Sequence, residues 1–512
     1  MNKSENKSKI KFEEVFLALI IISAFAFRAV LSLKSGQFSS SDAYFNLRQI
    51  ENIEKSGRPI IRDELSYSGR TFSFVPGMHY LLAGLFLIFG RFIKEVLFFK
   101  ILLAAIESLS ALVAYLIIVE VCKSKKAGLI AAFATAFSPI LIENTFNKLS
   151  TYSISVPINL LMIYLFLNSE KSKGAAIGFI AALVGAALID GLVFVTLVGL
   201  LMYMVLAESD NLKEGMGKKE ILIFSVVFLL WLEFVIFKNA LLTHGISIIW
   251  RNVPSQISSR YFYNVRMLTI IYRINALAFL GGAYILYKNL IREKREETYL
   301  FGGIIFTALG MLWLRLIEFS IGLMMLGLMF ALLFAYFFKE LDEYVGKTKI
   351  AKMRNLIMNS ILAIFIFTTI SASYSSALGN LKSSIESGTF EALQFLNSYN
   401  TSKAVAAAPE NGFYIEYFAG KKTIMDSDFL TIKDVNQRYQ DLARIYTTPY
   451  SIEAIELMEK YDAVLIYLSK VEREEYSISE LPYEKDNCFS KIFDNGEVQI
   501  YLRKCSAIPI SA

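Results

Sequence analysis

From Val15 to Leu33 nearly every position is apolar, and blocks of this kind recur as far as about residue 374. They show no alternation of apolar and polar positions, so they read as helices surrounded by hydrocarbon or by other helices. Apolar blocks fall at 15–33, 93–121, 127–142, 153–168, 174–190, 192–207, 220–242, 267–287, 298–314, 316–338 and 355–374. Many approach the roughly 20 residues needed to cross about 30 Å of hydrocarbon, which predicts about eleven transmembrane helices. The apolar stretch 74–89 is shorter and reads as a re-entrant or interfacial helix. Beyond Ser375 polar residues return. Thr389–Tyr399 and Ser451–Tyr461 have helical spacing. Ala404–Ala408, Lys422–Met425, Ala463–Leu468 and Glu497–Arg503 read as short strands, with a hairpin turn at Asp494-Asn495-Gly496-Glu497 in which Asn-Gly supplies positive φ angles.

The expected fold is therefore a polytopic α-helical membrane domain, 1–374, followed by a C-terminal extracytoplasmic α/β domain, 375–512. Composition agrees: of 512 residues 55% are hydrophobic and 19% charged, against about 25% charged in soluble domains. With only two histidines, a histidine-based metal centre is disfavoured.

Charge sets the orientation. If 74–89 does not cross, the basic clusters Lys123–Lys126, Lys171/Lys173, Lys213/Lys218/Lys219, Lys288–Arg295 and Lys347–Arg354 fall on the side of the Lys-rich N-terminus. By the positive-inside rule that side is cytoplasmic, and the tail lies outside. An external tail is a setting for disulfides, so a Cys488–Cys505 bridge and two free thiols are both open. Cys122, at a cytoplasmic helix end, reads as inert. Asn400-Thr401-Ser402 is a glycosylation sequon on the outer side.

The stretch Ser39–Tyr80, within the first external loop (35–92), carries Asp42, Arg48, Glu51, Glu54, Arg58, Arg62, Asp63, Glu64 and Arg70. A long loop so charged reads as a built site rather than a solvated connection. Further ionisable groups fall at the same outer face: Glu143 and Lys148 in SPILIENTFNKLSTY, Asp190, and Arg315 and Glu318 in MLWLRLIEFSIG. Such groups near membrane depth mark a pathway or a site, or else pair with one another to hold helices together. An arginine fork matches phosphate oxygens. A carboxylate with cations on the outer face suggests chemistry on a lipid phosphate, the cation holding the leaving group and the acid taking a proton. No Walker loop, dinucleotide glycine fingerprint, HExxH or CxxC pair occurs.

The run SDAYFNLRQIENIEKSGRPIIRDELSYSGRTFSFVPGMHYLLA resembles the first external loop of oligosaccharyltransferase catalytic subunits, especially the archaeal ones. These belong to the GT-C superfamily of polyprenyl-phosphate-dependent glycosyltransferases. GLIAAFATAFSPILIENTF, LRLIEF and PENGFYIEYFAGKKTIMDSDF continue the similarity over most of the chain. The resemblance implies that Asp42 is catalytic and that Arg315 contacts the lipid phosphate. The chain also departs from that family. Where an Asp-x-Asp is expected it has ENTFNKLST, with Glu143 the only acid. Where the Trp-Trp-Asp-Tyr-Gly motif is expected it has PENGFYI, and Leu242–Arg266 holds no Asp or Glu.

These readings converge on a membrane glycosyltransferase using a polyprenyl(dolichyl)-phosphate-linked sugar. Asp42 is the expected general base, Arg315 and Lys148 hold the donor phosphate, and Glu143, Asp190 and Glu318 support them. No metal or other cofactor is expected, whereas Mg or Mn would belong to an oligosaccharyltransferase-like chain. The expected partners are the lipid-linked sugar, the bilayer and a glycan or protein acceptor, with no nucleic acid. A divergent oligosaccharyltransferase, a lipid or solute transporter and a non-catalytic paralogue are the alternatives. No internal repeat or paired broken helices favour the transporter.

Overall fold

The computed structural model describes residues 3–90, 92–210, 215–262 and 267–506. Lys213 and residues 263–266 of the acid-free segment lie outside them. The chain divides into two compact units. One comprises Met1–Gly36, Val75–Glu233 and Tyr261–Lys382; the other comprises Gln37–Phe74, Phe234–Arg260 and Ser383–Ala512.

The first unit is a helical bundle. Helices Phe12–Ser32, Glu95–Cys122, Lys125–Thr145, Leu192–Ser209, Phe319–Gly346, and two that continue into the second unit, Met216–Trp250 and Ala351–Ser398, are long and apolar enough to cross a membrane. That makes seven such helices among the described residues, or up to eight if the pair Leu268–Ile274 and Ala276–Glu293, bent by 91°, is one span. Tyr152–Asn168, Lys173–Ala187 and Glu297–Trp313 are shorter apolar helices, so length and composition do not establish the expected eleven. The stretch expected not to cross forms the 13-residue helix Gly77–Phe89.

Phe319–Gly346 is 83% buried in its most apolar stretch and Met216–Trp250 only 17%. The former is thus the core helix, and its all-round apolar surface meets protein. The latter presents the same kind of surface outward. Leu192–Ser209 packs closely on Glu296–Trp313 through glycines: a Cβ at Gly199 would lie 2.8 Å from Ile304 Cα, and one at Gly303 2.6 Å from the Tyr203 nitrogen. Small residues allow backbones in a bundle to approach in this way.

The second unit holds a two-stranded ribbon, β1 (Arg62–Asp63) and β2 (Arg70–Thr71), and a four-stranded sheet of β3 (Ala404–Ala406), β4 (Ala463–Leu468), β5 (Phe489–Asp494) and β6 (Gln499–Arg503), in the order β3-β4-β6-β5. β3 and β4 are parallel; β4–β6 and β5–β6 are antiparallel. Helices Ser387–Ser398, Val435–Thr447, Ser451–Lys460 and Lys470–Tyr476 accompany it. Leu393, Leu396, Val405, Leu465 and Ile500 form its core.

Two local expectations need correction. Lys422–Met425 forms no strand: Thr423 makes only an isolated bridge with Val405. Val405 bonds the Lys422 carbonyl and the Ile424 N–H, and the Thr423 N–H is given to the Leu65 carbonyl at 2.9 Å. In the β5–β6 turn only Gly496 has a positive φ, +84°. Asn495 acts through its side chain, whose oxygen accepts the Val498 N–H at 2.9 Å. Cys488 and Cys505 are bridged, closing this hairpin. Cys122 is a free, buried thiol.

Candidate functional site

In the second unit the first loop forms the helix Asp42–Ser56, with Asp42 in its first turn. A carboxylate there is favoured by the unpaired N–H groups of the helix start. Asp42 is exposed, whereas Ala43, Tyr44, Leu47 and Ile50 are fully buried. The buried face meets PENGFYI. The Tyr44 ring packs, tilted, 5.2 Å from Tyr414 and 4.8 Å from Phe418, and Phe45 lies 5.2 Å from Phe413. Pro409 starts the short helix Pro409–Tyr414, since its missing N–H costs nothing there. At Gly412 a Cβ would stand 2.6 Å from Asp426 Cα. The Tyr414 phenol is held un-ionised, pushed up first by burial and then by the Asp42 carboxylate. Tyr414 thus borders the predicted base.

Most other charges of the loop are used in folding. Arg48 pairs with Asp63 and with Glu416, the latter at 3.0 Å. Glu51 accepts the Tyr417 hydroxyl at 2.7 Å. Arg70 pairs with Asp428 at 2.9 Å and lies over the Phe72 ring at 4.1 Å. Asp426 accepts from the Ser66 hydroxyl. Arg62 and Glu64 pair on the surface. Among the loop acids singled out, Asp42 combines an exposed position with the first turn of a helix. The segment 245–260, without acids, is fastened to the tail by donors: Asn252 gives its amide to the Phe429 and Ile432 carbonyls at 2.9 and 2.6 Å, and Arg260 pairs with Glu410 at 3.0 Å.

In the first unit, Glu143 lies in the short helix Pro139–Thr145. Asn380 closes this helix, donating to the carbonyls of Ile142, Glu143 and Phe146 at 3.3, 3.1 and 3.0 Å. Lys148 Nζ donates to the Glu143 carbonyl at 2.8 Å, and Arg273 pairs with the Glu143 carboxylate at 3.1 Å. Asp190 accepts the Leu192 N–H at 2.8 Å, at the start of Leu192–Ser209. Arg28 and Glu107 form a buried pair, and Arg28 also donates to Thr145, tying three helices.

Arg315 sits in the break between Glu296–Trp313 and Phe319–Gly346, exposed, with φ +56°. Glu318 precedes the second helix, and its carbonyl accepts the Gly322 N–H at 3.1 Å. Among the described residues no ion pair joins Arg315 to Asp190 or Glu318. Glu143 and Lys148 are thus brought together.

Arg273 escaped the sequence reading. It ends the helix Met267–Ile274, inside an apolar block where nothing local singles it out. No group of three or more His, Cys, Asp or Glu side chains placed to hold a metal occurs among the described residues. Glu143 faces a guanidinium, so this position does not fit a divalent ion, which takes several oxygen ligands.

No protein-family model and no curated protein sequence matches the chain. Solved structures do. Against the Archaeoglobus fulgidus oligosaccharyltransferase tethered to an acceptor peptide, the TM-score is 0.66 at 14% identity, covering 89% of this chain and 69% of that one. Against ArnT from Cupriavidus metallidurans it is 0.55 at 12% identity, covering 97% and 98%. Against the mycobacterial arabinofuranosyltransferase AftD it is 0.53 at 12% identity, covering 94% and 41%. Identities this low speak for fold alone, and on that ground the chain is a multi-pass membrane protein of GT-C-like fold with a C-terminal sheet domain.

Proposed function

We propose that the chain is a membrane glycosyltransferase that moves a sugar from a polyprenyl(dolichyl)-phosphate carrier to an acceptor on the outer face of the membrane. The observation that carries this reading is the exposed Asp42 carboxylate at a helix start, in a fold shared with an oligosaccharyltransferase and an arabinofuranosyltransferase. The Archaeoglobus enzyme has also been solved with an inhibitory peptide and a dolichol-phosphate, and ArnT with undecaprenyl phosphate.

In this reading Asp42 accepts the proton of the acceptor hydroxyl as its oxygen attacks the anomeric carbon. The bond from that carbon to the phosphate oxygen breaks, and the lipid phosphate leaves with the electron pair. Arg315 and Lys148 hold the phosphate, and Glu143, Asp190 and Glu318 support the surrounding backbone. The membrane part is 1–374 and the outer part 375–512, with the N-terminus cytoplasmic and the tail extracytoplasmic.

Transfer by a divergent oligosaccharyltransferase is the second reading, favoured by the higher TM-score of the Archaeoglobus match. The test is a transfer assay with purified protein and radiolabelled polyprenyl-phosphate sugars, offering either a sequon peptide or a membrane glycan fraction. Transfer to the glycan fraction alone supports the first reading, and transfer to the peptide asparagine the second. No transfer from any lipid-linked sugar contradicts both.

A further inference from the structure

Glu143, the one acid of ENTFNKLST, and Arg273 stand as an ion pair at 3.1 Å, their side chains 30% and 34% exposed. Both ends are fixed. On the Glu143 side, Asn380 holds three carbonyls of the Pro139–Thr145 helix end. On the Arg273 side, the chain turns through the 91° break after Ile274. Asn275 at that break has φ +79°, accepts the Leu277 N–H at 3.0 Å to start the next helix, and donates to Thr369 at 2.7 Å. An arginine side chain half in solvent ordinarily samples many rotamers; here a carboxylate and a braced helix end restrict it.

The pair leaves little room for a divalent cation. Such an ion needs several oxygen ligands, with carboxylates supplying the charge. Here a single carboxylate already faces a guanidinium, and the Lys148 ammonium lies 2.8 Å from the carbonyl of the same residue. Arg273, by contrast, retains capacity for an anion. A guanidinium carries five donors in a fixed fork, and Glu143 is its only polar partner among the described residues.

We infer that Arg273, oriented by Glu143, supplies the positive charge that a divalent ion would otherwise bring, and binds the phosphate of the lipid-linked donor without a metal. The inference rests on the functional reading above and adds a residue to it. A planar fork matches phosphate oxygens two at a time, which a lysine does not. Glu143 keeps the fork in place and offsets one charge, so that with Lys148 the group carries a net positive charge toward an anion.

The test reads lipid-phosphate binding rather than transfer, using the full chain in nanodiscs and dolichyl phosphate, without sugar, as the probe. The parent is expected to bind it equally in EDTA and in Mn²⁺. Arg273→Met should weaken binding about ten-fold or more, the loss of a charge-assisted contact. Arg273→Lys should fall between, and it serves as the comparison where Arg273→Met does not fold. Parent-like binding by Arg273→Met, or by Arg273→Lys in that comparison, overturns the inference and leaves the functional reading intact. So does EDTA-sensitive binding with a bound-Mn²⁺ resonance that Glu143→Gln abolishes. A folded parent that binds no dolichyl phosphate removes the functional reading and the inference together.

Discussion

Arg48 and Glu416, 368 residues apart in the chain, meet with Nη1 3.0 Å from Oε2. Arg48 also pairs with Asp63, and the two acid side chains are 0% and 2% exposed. Burial pushes the Glu416 carboxyl well up, Asp426 adds to the shift, and the Arg48 guanidinium opposes it. Arg48→Met therefore strands two buried acids beside each other. A cost of about 3–5 kcal/mol follows for breaking such a pair from one side. Chemical denaturation followed by protease resistance of the tail measures it, and unchanged resistance would refute the structural role.

Asp426 makes the same unit sensitive to pH. Burial, before any neighbouring charge, raises its carboxyl from the ordinary 3.8 to about 6. The folded state thus holds this proton more tightly than the unfolded chain. Its contribution to stability is fully present below pH 3.8 and is lost as pH rises through about 6. The slope over that window reaches at most about 1.4 kcal/mol per pH unit for one proton. Comparing parent and Asp426→Asn by thermal unfolding at several pH values isolates it. The asparagine variant should be flatter over this range, and parallel curves would refute the assignment.

The Cys488–Cys505 bridge spans a sequence separation of 17 residues. Replacing both cysteines with alanine should cost about 3 kcal/mol, the loop-closure value for a loop of this size. Reductant should lower the unfolding temperature of the parent and leave that of the double variant unmoved. Equal sensitivity of the two would show that the bridge does not form.

Orientation is open to direct labelling. With the basic connections facing the cytoplasm, a cysteine at exposed Lys403 should react with an impermeant reagent on intact cells. One at exposed Arg292 should react only after permeabilisation. Labelling at 292 from outside would reverse the topology.

Much of this architecture is written in local pattern. The uniform apolar blocks specify buried and lipid-facing helices, and the Ala463–Leu468 strand and the terminal hairpin lie where β-forming residues and Asn-Gly place them. What is not written locally is pairing across hundreds of residues. The charges of the first loop suggest a site by their density, yet Arg48 and Arg70 are spent on Glu416, Asp426 and Asp428 of the tail. Nothing in either segment alone announces the other. Arg273 is hidden for the same reason, because its partner Glu143 is 130 residues upstream in another helix. The number of spans is obscured by physics of another kind: several apolar helices fall short of the membrane thickness, so composition does not decide whether they cross.

The central claim is that Asp42 is the base of a glycosyl transfer. Asp42→Asn keeps the shape and hydrogen-bonding reach of the side chain but cannot take a proton. The decisive measurement is the transfer rate from a polyprenyl-phosphate sugar per molecule of folded, detergent-extracted protein, for this variant beside the parent and Arg315→Lys. A rate lower by roughly 10²–10⁴ in Asp42→Asn, with dolichyl phosphate binding retained, is the predicted result. Arg315→Lys should slow transfer and also weaken binding, since it keeps the charge but loses the fork. Full specific activity in Asp42→Asn would contradict the account.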